Sequence, residues 1–174
     1  MQSQTNSYSL RTRRLAVSAM FAALALIFSY VEAIIPFSVG IPGVKLGIAN
    51  LVIIIALYEM NIKYAFTINV VRIFVSGLLF NGLFGALYSL SGGIVSLIVM
   101  WLLKKTNLFS MVGVSMAGGV AHNLGQLIIA SLIVSNFKMF LYFPVLMFSG
   151  IISGIMIGIV SYIIYQKLPK QLFR

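Results

Sequence analysis

Residues 62–80 read Ile-Lys-Tyr-Ala-Phe-Thr-Ile-Asn-Val-Val-Arg-Ile-Phe-Val-Ser-Gly-Leu-Leu-Phe, with Arg72 as the single charge beyond Lys63. A helix needs about 20 largely apolar residues to cross a ~30 Å hydrocarbon core, and this run has that length. An arginine near the bilayer centre costs roughly 2.5–3.5 kcal/mol on insertion scales. Asn69 and Ser76 lie three and four positions from it and share its helix face. That face must look into a bundle of other helices.

Five further apolar stretches flank this one. They run over about 15–35, ending at Pro36; 46–60, following Pro42-Gly43; 83–103; 111–135; and 140–165. The predicted fold class is therefore all-α: a polytopic membrane protein, a compact bundle of six transmembrane helices. The second span is short for a full crossing and is expected to be tilted, broken or re-entrant. Charge supplies an independent check on orientation. With a cytoplasmic N-terminus, nine basic residues fall inside (Arg11, Arg13, Arg14, Lys63, Lys104, Lys105, Lys167, Lys170 and Arg174), and two, Lys45 and Lys138, fall outside. That is a positive-inside bias alternating loop by loop.

Composition agrees. Of the 174 residues, 61% are hydrophobic and 8% charged, with a mean hydropathy of +1.09. A soluble domain carries about 25% charged residues, so a water-soluble globular enzyme and a disordered chain are both excluded. Aspartate is absent; Glu32 and Glu59 are the whole acidic inventory, and there is no cysteine and one histidine. Calcium, magnesium and nucleotide-hydrolysing sites need several carboxylates, and thiolate or cysteine-type metal chemistry is impossible. The sequence predicts no cofactor, no metal and no enzymatic activity of its own. The net charge of +10 sits at helix ends and sets orientation in the bilayer rather than marking a nucleic-acid partner.

The chain divides into a cytoplasmic basic segment (1–14), a membrane domain (15–166) and a cytoplasmic basic tail (167–174). Residues 1–9 read as polar and mobile. The first apolar run is long and lacks an obvious small-residue cleavage site, so it reads as a retained helix rather than a signal peptide. The loops are about ten residues or shorter; an engine driven by nucleotide hydrolysis would lie on another chain.

Small residues mark where helices approach closely in lipid. Gly150, Gly154 and Gly158 recur at four-residue spacing in the last span, and Gly85, Ser89 and Gly93 in the fourth. Both read as packing stripes within the bundle or as docking stripes. The same two readings apply to Ala16, Ala19 and Ala23 on the first span.

Three polar features stand out. Arg72 is either a structural arginine paired with Glu32, Glu59 or backbone carbonyls, or an anion anchor. The turn Pro42–Asn50 places Lys45 at the outer mouth and Asn50 deeper, where free N–H groups at a helix start favour anions; the ordinary alternative is an interfacial turn with a snorkelling lysine. His122, Asn123 and Gln126 form the third, read as helix–helix hydrogen bonding, a proton relay through His122 or a ligand contact. Asn81 and Glu32 lie near the outer ends of their spans. Lys45, Glu32, Asn81 and Arg72, with Tyr30, Tyr88 and Tyr142, are expected to form an externally open pocket. Bases outnumber acids there, which points to an anionic ligand.

The run Pro42–Asn50 continued by Leu51–Tyr58, the Arg72 helix, Leu87-Tyr88-Ser89-Leu90-Ser91-Gly92-Gly93 and Gly119-Val120-Ala121-His122-Asn123-Leu124-Gly125-Gln126 together resemble the Gx transporter family. Its members are also labelled heptaprenyl diphosphate synthase component I. The resemblance covers about residues 13–166. That family is similar to the S components of energy-coupling-factor transporters, six-helix proteins that bind a vitamin-like solute and dock on a T component and two ATPases. The resemblance implies a substrate-binding role, a bacterial cytoplasmic membrane location, and contact of Ala19 and Ala23, with Ala16, on the T component. The other label implies a subunit of a polyprenyl diphosphate synthase. Without aspartate the chain could only be a non-catalytic partner there. A scaffold subunit of a membrane redox or assembly complex is the third alternative.

Overall fold

The computed structural model describes residues 2–35 and 47–169, with side chains from residue 12 onward. Six α-helices follow one another: α1 (Gln2–Ile34), α2 (Ile48–Glu59), α3 (Ile62–Ser76), α4 (Gly82–Thr106), α5 (Met111–Ile133) and α6 (Phe143–Lys167). A π-helical turn, Gly77–Asn81, joins α3 to α4, and a 3₁₀ turn, Phe137–Tyr142, leads into α6. No strand occurs among the described residues.

Four helical stretches are long and apolar enough to cross a membrane: 12–34, 62–106, 111–133 and 137–167. The second of these comprises α3 and α4 and is folded back on itself. A Cβ on Gly77 would lie 2.6 Å from Ala86 Cβ, and one on Gly93 would lie 2.8 Å from Asn69 Nδ2. Neighbours therefore approach from opposite chain directions, which makes α3 and α4 an antiparallel hairpin. The reversal falls at Gly82, whose φ of +66° and ψ of 175° suit a residue without a Cβ.

The helix boundaries correct several sequence-based expectations. α1 begins at Gln2 rather than near Leu15, so residues 2–9 are helical and continuous with the first span. α3 ends at Ser76 rather than Phe80, and α6 begins at Phe143 rather than Phe140. α2 has 12 residues, about 18 Å at 1.5 Å per residue, too short for a ~30 Å core.

α2 is the centre of the bundle. Residues Leu51 to Leu57 are all buried, as expected of a helix apolar all round. α1 supplies Val17, Phe21 and Ala25 to this core, α3 supplies Ala65 and Ile68, and α4 supplies Leu97 and Met100. Both ends of α2 are tied by charged side chains. Glu32 accepts a hydrogen bond from Gly47 N–H just before the first turn. Lys104 Nζ donates to Leu57 O at 2.6 Å in the last turn and sits 4.8 Å from the Tyr58 ring centroid. An anion at the N-terminus and a cation at the C-terminus complement the helix dipole and bind its orphan backbone groups.

Glycines set the remaining spacing. A Cβ on Gly119 would run into Gly150 O, one on Gly154 would lie 2.6 Å from Met116 Cα, and one on Gly158 2.8 Å from Val112 Cα. The stripe Gly150, Gly154 and Gly158 thus faces α5, backbone against backbone. Consecutive Gly92 and Gly93 let α4 approach α5 on one side and α3 on the other. Large apolar side chains such as Leu78, Leu79, Leu83, Phe84, Phe148 and Ile152 remain outside. That is the exterior of a multi-pass membrane protein, whose helices meet an apolar solvent.

Candidate functional site

A cavity of about 350 Å³ lies inside the bundle. α1 contributes Ser29, Glu32 and Ala33, the start of α2 contributes Gly47 and Asn50, and α3 contributes Arg72 and Ser76. The π turn adds Phe80 and Asn81. The wider turn brings both onto the side already occupied by Ser76, a placement such turns often serve at functional sites. On α4 the lining runs from Ser89 through Ser96 to Met100, about 16 Å along the helix. α5 gives Ser115, Gly118, Gly119, His122 and Asn123, and α6 gives Ser153, Gly154 and Ile157. Space exists because the walls are serine and glycine where the core elsewhere is isoleucine and leucine.

Arg72 is the buried charge of the lining. It sits ten residues into α3, about 15 Å along the helix, and is 7% exposed. Its Nε and Nη2 donate to Asn69 Oδ1 at 3.3 and 2.7 Å, and its Nη1 donates to Ser29 Oγ at 3.3 Å. Ser29 Oγ itself donates to Ala25 O at 2.9 Å. A guanidinium has five N–H groups; three are used here, so two are left with no hydrogen-bond partner among the described residues. Its hydrogen-bond partners among the described residues are all neutral; the Glu32 carboxylate makes no hydrogen bond with it but is near enough to act on its charge.

Of the alternatives for Arg72, a direct hydrogen bond or ion pair with Glu32 is not made in this structure. Glu32 turns to Gly47 N–H instead, because a carboxylate at a helix start meets unsatisfied N–H groups. One anion at the α2 N-terminus is therefore the chain's own. Glu59, at the last residue of α2, is a full helix length from Glu32 and from this site.

The other sequence-predicted residues separate into groups. Asn50, Asn81 and His122 line the cavity with Arg72 and Glu32. Asn69 lies behind Arg72 and orients it. Asn123 borders the cavity, but its Nδ2 donates to Leu146 O at 2.7 Å and ties α5 to α6. Gln126 is not in the lining; its stem packs on α4, where a Cβ on Gly92 would lie 2.9 Å from Gln126 Cγ. Lys45 lies outside the described residues, as do Pro42 and Gly43. The excess of bases rested on Lys45: the described lining holds one arginine and one glutamate. The aromatic wall differs too. Tyr30 and Tyr142 are exposed and Tyr88 is not in the lining; Phe80 takes that place, with Tyr30 packed edge-on behind it at 5.5 Å.

Ser29, Ser96 and Ser115 were not singled out by sequence. Ser96 is 2% exposed and its Oγ has no hydrogen-bond partner among the described residues. A serine in an apolar helix carries little hydropathy signal. Ser29 alone had one: it ends the ladder Val17, Phe21, Ala25, Ser29, one turn before Glu32.

On the opposite face of α1, Ala16, Ala19 and Ala23 are exposed, together with Met20, Leu24 and Ile27. They make no packing stripe within the bundle.

An apolar exterior around an internal polar cavity defines a multi-pass helical membrane protein with room for a small molecule. Residues 21–164 match the heptaprenyl diphosphate synthase component I family, and the chain belongs to that family. Its fold is similar to that of the S component of a bacterial ECF transporter, with a TM-score of 0.67 over 94% of this chain and 99% of that one, at 20% sequence identity. No curated protein matches the sequence.

Proposed function

We propose that this chain is an S-component-like subunit that binds a small solute inside the bilayer for uptake, energised by partner subunits. One observation carries this: a buried arginine, hydrogen-bonded only to neutral acceptors among the described residues, borders the cavity with two N–H groups that have no partner there. An intramembrane arginine is stable only against a partner or a polar cavity. Here the cavity is the solute site, and Arg72 holds an anionic group of the solute. Asn50, Asn81 and His122 complete the polar lining, and Asn69 positions Arg72.

Six crossings with both termini cytoplasmic fit this role. The α3–α4 hairpin supports two crossings within 62–106; α2, too short to span the core alone, counts as a crossing because the bundle rather than lipid surrounds it; and the alternation of basic residues supports the orientation. The exposed Ala16, Ala19 and Ala23 face supports docking on a membrane T component, with ATPases beyond it. The chain itself performs no catalysis in this scheme. Its two acidic residues stand at opposite ends of α2, about 18 Å apart, too far to share a metal ion for prenyl transfer or nucleotide hydrolysis.

The family's description favours a second reading, a non-catalytic membrane subunit of a polyprenyl diphosphate synthase. Affinity purification of the tagged full chain from its native membrane separates the two. Recovery of a T component and ATPases supports the first. Recovery of a soluble, aspartate-rich prenyl synthase without them overturns it.

A further inference from the structure

The cavity shows more about its solute than a single anchor implies. Arg72 and Glu32 both border it, and no ion pair joins them. Ser29, which bonds Arg72, is three residues before Glu32 on the same helix. The two charges therefore stand about one helical turn, ~5 Å, apart along α1. Among the described residues each keeps unused hydrogen-bonding capacity: two guanidinium N–H groups on Arg72, and the second oxygen of Glu32, whose first accepts from Gly47.

A simple anion would satisfy Arg72 while adding a second negative charge one turn from Glu32, where like charges in a poorly solvated site oppose each other. A simple cation would meet the mirror-image problem. A solute carrying both charges compensates both groups at once. The deep wall formed by Ser96, Ser115 and Ser153 offers hydroxyls rather than hydrocarbon. The volume of about 350 Å³ equals roughly a dozen waters at ~30 Å³ each. A polyprenyl tail fits neither the polarity nor the size.

Resting on the proposal that this cavity is the solute site, we infer that its ligand is a small zwitterion, with a carboxylate or phosphate on Arg72 and a cationic nitrogen on Glu32.

The test uses the purified full-length chain in lipid nanodiscs and affinity selection read by mass spectrometry. Three pools of small metabolites are matched in mass and sorted by charge at neutral pH: zwitterions (amino acids, phosphoethanolamine and related amino-phosphates), anions (carboxylates and phosphomonoesters) and cations (amines). Retention from the zwitterion pool is expected. The retained compound should bind Arg72→Gln and Glu32→Gln about tenfold or more weakly, the scale of a hydrogen bond to a charged group. Its N-acylated analogue should distinguish Glu32→Gln from the parent by much less. Glutamine keeps the oxygen that accepts from Gly47, so Glu32→Gln preserves the α2 start and removes only charge. Retention of anions alone, or an unchanged affinity in Glu32→Gln, overturns the zwitterion and leaves the solute site standing. Retention from no pool overturns both.

Discussion

Arg72 and Asn69 together allow a test whose sign separates a site residue from a structural one. Asn69→Leu alone removes the acceptor of two guanidinium hydrogen bonds, at 2.7 and 3.3 Å, and leaves the charge in place. Hydrogen bonds to charged groups contribute about 1.5–3 kcal/mol, so a loss of that size is expected. Arg72→Met with Asn69→Leu removes both partners. The charge no longer costs its ~2.5–3.5 kcal/mol at depth, and no acceptor is orphaned, because Ser29 Oγ keeps its bond to Ala25 O. Replacing a buried polar set by apolar residues of similar volume is neutral or stabilising by about 1–4 kcal/mol. The double variant should therefore be as stable as the parent or more stable, while losing the retained solute. Unfolding in mixed micelles, followed by the fluorescence of the single tryptophan, Trp101, measures both variants. A double variant less stable than Asn69→Leu alone would refute the reasoning and make Arg72 a structural keystone. Full solute binding by the double variant would remove Arg72 from the site.

Topology is open to thiol labelling, since the native chain has no cysteine: Asn136→Cys should react from outside and Lys105→Cys only from inside. Ala19→Trp with Ala23→Trp should leave the melting temperature unchanged, because both positions are exposed, yet abolish recovery of the partner subunits. Gly82→Ala should cost about 1–3 kcal/mol through backbone strain alone, since a Cβ there meets nothing within 4 Å. Gly113→Ala is its control: the nearest contact is an ordinary 3.6 Å, and improved helix propensity should stabilise by about 0.5–1 kcal/mol in the same unfolding assay.

Hydropathy is a local property, so the sequence by itself determined what depends on local properties. The apolar stretches, the short second helix, the reversal near Asn81-Gly82 and the burial of Arg72 all follow from the cost of placing backbone and charge in hydrocarbon. The glycine stripe of α6 was legible for the same reason, because small residues at four-residue spacing share one face. Its partner was not. Only the tertiary structure decided that this stripe meets Gly119 and Met116 while the alanines of α1 are exposed among the described residues. It also decided that Glu32 serves α2 rather than Arg72, that Gln126 packs while His122 lines the cavity, and that Phe80 replaces the tyrosines as the aromatic wall. Each of those outcomes depends on how one helix is rotated against another. That rotation is set by the packing of all six helices at once, and a single helix's sequence does not carry it.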